Sequence, residues 1–311
     1  MSDSDSSAGV QVNIITVKDF LHMGLRLAGF SRKRIRRCAE ATNCQGFRDR
    51  HGPTPKSVAQ VWEEMQTTTI AEAFVAAECR DPRHCLMALH FVKHCDTESE
   101  REATHDEPTM KMRDWRWHFL ERIQALKAAK IVWPEPLGDA IWVISIDGVD
   151  CWTLEHNHEE HAQDPARHSH KCNKAALRCE LGLSLNSNKL IWMNGPHKAG
   201  KFSDRKIFRK KLPKKLKALK KMGIADGGCT GYPQQLSTPN AHDSKSVRKF
   251  KSRALKRQER FNNKMKCCQV LSSRFRHGER RFAVCFEAVC VLCQHDIEHG
   301  SPLFNVHVGD L

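Results

Sequence analysis

Residues 140–150 read AIWVISIDGVD, and the fold class turns on them. The first seven are apolar except Ser145, and four of them (Ile141, Val143, Ile144, Ile146) are β-branched. A run this short, closed by Asp147-Gly148, predicts a buried strand with an acid at its C-terminal edge. Just upstream, Trp133-Pro134-Glu135-Pro136 stops a helical pattern, because proline cannot continue a helix and restricts the residue before it. The chain therefore changes character between residues 133 and 140.

Downstream, 177–185 (LRCELGLSL) alternates and predicts a second strand, and 189–193 (KLIWM) predicts a third. A basic helix over 203–222, interrupted at Pro213, leads to a short strand at 223–226 that again ends in an acid before glycines. Helices over 243–266 and 281–299 follow. Upstream, Val17, Phe20, Leu21, Leu25 and Leu27 recur at helical spacing. Ser57 can cap a helix carrying Val58, Val61, Trp62 and Met65. Residues 70–79 and 84–94 predict short helices, the polar 97–108 a linker, and 110–131 a longer helix. Residues 1–10, rich in Ser and Asp, predict a disordered tail. The expected organisation is a helical N-terminal region over 11–133 followed by an α/β domain over 137–311, a mixed sheet flanked by helices.

The 311 residues suffice for about two domains. Lys and Arg number 51 against 36 Asp and Glu, a formal charge of +15 that favours a polyanionic partner, most commonly nucleic acid. The 14 cysteines are scattered in a chain too large for a disulfide scaffold, which points to reduced thiols inside the cell. No apolar run reaches the roughly 18 residues of a membrane span, and MSDSDSSAG lacks the basic and apolar parts of a secretory signal. Neither secretion nor membrane integration is expected.

Three carboxylates carry candidate chemistry: Asp147, Asp226 and Glu259. Acids at the ends of adjacent buried strands can converge on one point, with a helical acid completing the set. Clustered carboxylates repel unless a cation sits among them. Mg²⁺ takes hard oxygen ligands and keeps positions open for phosphate oxygens. Two such ions about 3.5–4 Å apart clamp both oxygens of a phosphodiester displacement. The residues by themselves leave a plainer alternative: Asp147 and Asp226 as turn residues before glycine, and Glu259 as a solvated helix charge.

Several motifs, in order over about 137–306, resemble DDE superfamily endonucleases of the PIF/Harbinger transposase type. IDGVDC at 146–151 resembles the first-acid motif, and HSHKCNKAALRCELGLSL at 168–185 the strand segment after it. WMNGPHKAGKFSDRKIF at 192–208 resembles the glycine-containing turn and its following Asp, here Asp204. IADGGCTGYP at 224–233 resembles the second-acid motif, and STPNAHDSKSVRKFKSRALKRQERFNNKMK at 237–266 the third-acid helix. The resemblance implies an RNase H-like fold and metal-dependent cleavage and joining of DNA strands with Mg²⁺ or Mn²⁺, two ions per site. It maps the acids onto Asp147, Asp226 and Glu259, with Asp204 a rival for the second. It also implies DNA as partner, a homo-oligomer on DNA, a separate DNA-binding protein to select the target, and a nuclear location. Asp150 and Cys229 depart from the His and Tyr that relatives often carry. These departures leave room for a catalytically silent, domesticated copy acting as a DNA-binding or interaction protein.

Basic stretches supply candidate DNA contacts. One is Arg32, Lys33, Arg34, Arg36 and Arg37 in the run SRKRIRR. Another lies in 201–221, which holds 11 Lys or Arg, among them Lys201, Arg209, Lys210 and Lys211. Lys256 and Lys266 flank Glu259 on its helix. Such residues track phosphates and add affinity without sequence information; a solvated helix face is the alternative. The His-rich 156–170 fits no defensible zinc spacing and reads as a solvated loop. Cys285, Cys290, Cys293 and His295 also invite zinc, the ground for a third option, a zinc-binding regulatory protein. They lie among Phe282, Phe286, Val289 and Leu292, however, where cysteine serves as a small core residue.

Overall fold

A computed structural model describes residues 15–67, 81–134, 139–154, 164–187, 189–229 and 231–306. The tail at 1–10, the helix expected at 70–79 and most of the His-rich stretch lie outside these residues. The helical region comprises α1 (Val17–Leu27), α2 (Arg32–Arg37), α3 (Glu40–His51), α4 (Pro55–Thr67), α5 (Pro82–His94), α6 (Glu98–His105), α7 (Thr109–Ala125) and α8 (Lys127–Lys130). The expected linker at 97–108 is instead largely helix α6. Thr97 and Glu100 form a reciprocal capping box there, and that local start signal outweighs the polar composition. Thr54, rather than Ser57, starts α4: its hydroxyl accepts the Ser57 backbone N–H at 3.1 Å, and Pro55 takes the first helical position.

The strands are β1 (Trp142–Trp152), β2 (His168–Ser169), β3 (Lys174–Ser184), β4 (Leu190–Lys198), β5 (Met222–Ile224) and β6 (Leu236–Ser237). Helix α9 (Asp204–Ala218) joins β4 to β5, and α10 (Lys245–Lys266), α11 (Gln269–Ser272) and α12 (Glu279–His299) follow β6. The sheet is mixed and open. Antiparallel β3 lies between β1 and β4, while β5 runs parallel to β1 and β6 parallel to β5. The β1 strand does not end at Asp147-Gly148 as expected. It runs on to Trp152, because β3 pairs with it through Asp147↔Leu181 and Gly148↔Glu180. Helix α9 also runs through Pro213 without a break. The Arg209 carbonyl, which loses its intrahelical partner there, belongs to an exposed residue.

Alternation along β1 and β3 sends two sets of side chains to opposite faces. Ile144 and Ile146 pack with Phe208, Leu212 and Leu216 of α9. Val149, Cys151, Cys179 and Leu181 face the other way, into a cluster with α12 and the N-terminal helices. Phe20, Trp62, Phe119 and Phe286 belong to that same cluster, so the helical region and the sheet share one core through α12. On α10 the stripe Phe250, Ala254, Phe261 and Met265 is buried, as its spacing requires.

A histidine cluster is buried among α3, α5 and α6. The His90 ring centroid lies 4.6 Å from that of His94 and 4.9 Å from that of His105. Burial holds His51 and His105 down to about 4 and His90 down to about 2, with neighbouring cations adding repulsion. These rings fold neutral, whereas in the unfolded chain they take protons near pH 6.5. Their contribution to stability is therefore whole above pH 6.5 and is lost as pH falls toward the folded values. Denaturant titrations should show folding weakened by on the order of a few kcal/mol between pH 7 and pH 4.5. His90→Gln should flatten that dependence; an unchanged slope would remove the cluster as its cause.

Candidate active site

The parallel β1–β5 pairing ends at Ser145↔Ile224. Two residues further on in each strand direction stand Asp147 and Asp226, at one level and on adjacent chains. Strand β5 stops there, so Asp147 lies where β1 loses that neighbour and its side chain turns toward α10. Its Oδ1 accepts the Gly148 N–H at 2.7 Å and its Oδ2 accepts the Asn262 amide at 2.7 Å. Beneath it, Ser145 donates to Gln258 Oε1 at 3.0 Å, fixing the height of α10 over β1. Burial pushes the Asp147 carboxyl up to about 6; Lys171 and the Gly148 N–H pull against this, while Asp204 and Asp226 push with it.

Asp226 is exposed and accepts the Gly228 N–H at 3.0 Å, opening the short 3-10 turn over 227–229. The turn role that the sequence allowed is real here, and it is compatible with a free second oxygen. Asp204 sits in the first turn of α9, over Gly148 on the opposite face of β1 from Asn262. A Cβ at 148 would collide with its Oδ1, so glycine is required there by the close approach of that carboxylate. Lys171 Nζ reaches Asp204 at 3.0 Å, and Arg178 Nε stands 3.5 Å away. Asp204 is thus paired with cations, whereas neither Asp147 nor Asp226 forms a salt bridge among the described residues.

Glu259 is exposed, and no hydrogen bond or ion pair joins it to Asp147. The residue of α10 that meets Asp147 is Asn262, about 60° around the helix from Glu259 at 100° per residue. Lys266 lies between the two in helical phase and is also exposed. Among the described residues, no three carboxylates have oxygens within 4.8 Å of one another. The structure thus sets Asp147 beside Asp226 and Asp204 within Coulombic range and leaves Glu259 on the neighbouring rim.

The candidate phosphate contacts are solvent-facing. Arg32, Lys33, Arg34, Arg36 and Arg37 are exposed around the buried Ile35 of α2, with Arg34 stacked 3.8 Å above the Phe30 ring. Lys201, Arg209, Lys210 and Lys211 are exposed at and along α9, and Lys210 Nζ lies 4.0 Å over the Phe202 ring. Lys256 is exposed on α10.

Two buried features escaped the sequence. Asp150 pairs bidentately with Arg178, and Glu180, across from Gly148, accepts Trp192 Nε1–H at 2.7 Å. Burial raises Glu180 to about 7. Polar residues within a strand give no signal of their partners until the register is known. Cys285, Cys290 and Cys293 are buried core residues, as their apolar neighbours suggested. No described helix is long and apolar enough to cross a membrane. No family model, curated protein or solved structure matches the chain.

Proposed function

We propose that this chain is a metal-dependent DNA endonuclease of the DDE transposase kind, with an RNase H-like catalytic half. The observation that carries the reading is the register that sets Asp147 and Asp226 two residues past the Ser145↔Ile224 pairing of β1 and β5, neither of them in a salt bridge among the described residues. The order β4-β3-β1-β5-β6, with the short β2 also on β3 and β3 antiparallel to each of its partners, supports that half of the reading. These hard oxygen donors fit Mg²⁺ or Mn²⁺, because neighbouring carboxylates repel one another and a divalent ion relieves that repulsion.

Asp147 and Asp226 would hold such ions, with Glu259 contributing from the rim of α10. When bound, two divalent ions supply a nucleophilic water at neutral pH and stabilise charge on the attacked phosphodiester. Asn262 fixes the rotation of the Asp147 carboxylate through its amide. The lysines of α9 and α10 hold phosphates by charge, giving affinity that weakens with salt. Target choice falls to the helical region, to a second copy or to a separate DNA-binding protein, and the reading places the chain in the nucleus.

Plasmid nicking with Mg²⁺ or Mn²⁺ tests this. Asp147→Asn should lower the rate by more than about a hundredfold, the upper range seen when even outer-shell support of a metal site is removed. Equal rates for the two proteins would end the enzyme reading. A second reading draws on Asn262, an amide where a third acid would meet Asp147. It is a catalytically silent DNA-binding protein, and it predicts salt-sensitive DNA binding, without cleavage, that survives changes to Asp147, Asp226 and Glu259.

A further inference from the structure

Away from the carboxylates, α12 carries His295, Glu298 and His299, one helical turn of potential ligands. Their ligand atoms all lie within 4.8 Å of one another. His295 is fully buried; its Nδ1 has no hydrogen-bond partner among the described residues, and its Nε2 faces the Glu64 carboxylate. A buried imidazole left in this way loses the solvation of its Nδ1 without return. From α4, Glu64 Oε2 approaches to 3.2 Å of His295 Nε2. Lys130 of α8 bridges Glu64 and Glu298 at 2.8 and 3.1 Å, and Gln294 donates to Glu298 Oε1 at 2.8 Å.

We infer that His295, Glu298 and His299 form a zinc site, closed by Glu64, that ties α12 to α4. Two imidazoles and carboxylate oxygens are a donor set zinc takes in four-coordinate geometry. Residues spaced i, i+3 and i+4 share one helix face, so the three α12 ligands need no backbone rearrangement. Glu64 brings in the helical region, and the ion would cross-link the two parts of the chain at their shared helix. Lys130 is the competitor. Its ammonium already balances Glu64 and Glu298, and zinc must displace it from at least one of them. Lys130 thus sets the affinity, and its removal strengthens binding.

The test uses the full chain stripped of metal by chelation and titrated with zinc alone, following bound equivalents and thermal midpoint. The His-rich stretch and the cysteines are common to all variants, so differences report this site. Wild type should bind one equivalent more than either His299→Gln or Glu298→Gln, both partly exposed positions whose folding is checked by circular dichroism. Lys130→Met should bind that equivalent about tenfold more tightly. With cobalt(II) in place of zinc, the wild-type-minus-His299→Gln spectrum should lack thiolate charge transfer. Equal stoichiometry in wild type and both variants overturns the site. A thiolate band in the difference spectrum, or unchanged or weaker binding by Lys130→Met, overturns it equally.

Discussion

Arg178→Met should cost about 3–5 kcal/mol of folding stability at pH 7, the range for stranding one member of a buried ion pair. Arg178 Nε and Nη2 reach Asp150 Oδ1 and Oδ2 at 2.5 and 2.7 Å, and the two side chains are 8% and 4% exposed. Burial by itself would raise the Asp150 carboxyl, but bonds from Arg178 and Ser169 hold it below its ordinary value. Without Arg178, Asp150 must either stay charged in the interior or take up a proton. The Asp150→Asn/Arg178→Met double variant should recover most of the loss, because it strands no charge. Asp150 is depressed, so the pair's contribution is present above the unfolded carboxylate pKa and fades as acid protonates the group; the wild-type advantage should shrink below about pH 4. Urea denaturation reads all of this, and a loss under about 1 kcal/mol would refute it. Arg178 also donates to the Phe202 carbonyl at 3.2 Å, so the variant should loosen the start of α9 and with it Asp204.

Phe282→Ala should cost a further roughly 3–5 kcal/mol, the usual loss for a buried phenylalanine truncated to alanine. Phe282 is fully buried, edge-on to Phe275 at 5.5 Å and stacked on Phe286 at 5.8 Å. It sits in the cluster that also holds Trp62, Phe119 and Leu181. The substitution should therefore lower the midpoint of helical and sheet signals together. Tryptophans stand in both parts, Trp62, Trp115 and Trp117 on helices and Trp142, Trp152 and Trp192 on strands, so their fluorescence and far-UV circular dichroism should trace one transition. Two separated transitions, with the sheet unaffected, would show that the core is not shared.

The strand at 140–146 and the amphipathic stripe of α10 were legible because each is set by local periodicity. The extent of β1 was not, since residues 149–152 are strand only through pairing with β3, whose partners are 24 to 30 residues away. The same limit hid the Asp150–Arg178 pair. Asp147 and Asp226 could be picked out because both precede glycine after an apolar run. The geometry of Glu259 was not legible: about 60° of helical phase separates it from Asn262, which faces Asp147, and the packing of Gln258 onto Ser145 fixes that phase. Cys285, Cys290 and Cys293 fill the core, and of the residues grouped with them in the sequence only His295 joins Glu298 and His299 in a possible ligand set.

The place of α12 in the common cluster has a consequence for biosynthesis. Helices α4 and α7, which pack directly on α12, leave the ribosome well before Glu279–His299 does, so the faces they turn to it wait uncovered until that segment arrives. Such nascent surfaces are what chaperones hold and what drives misassembly. Completion of the helical region is thus a late, post-emergence event, and ribosome-bound fragments lacking α12 should remain protease-sensitive at α4 and α7.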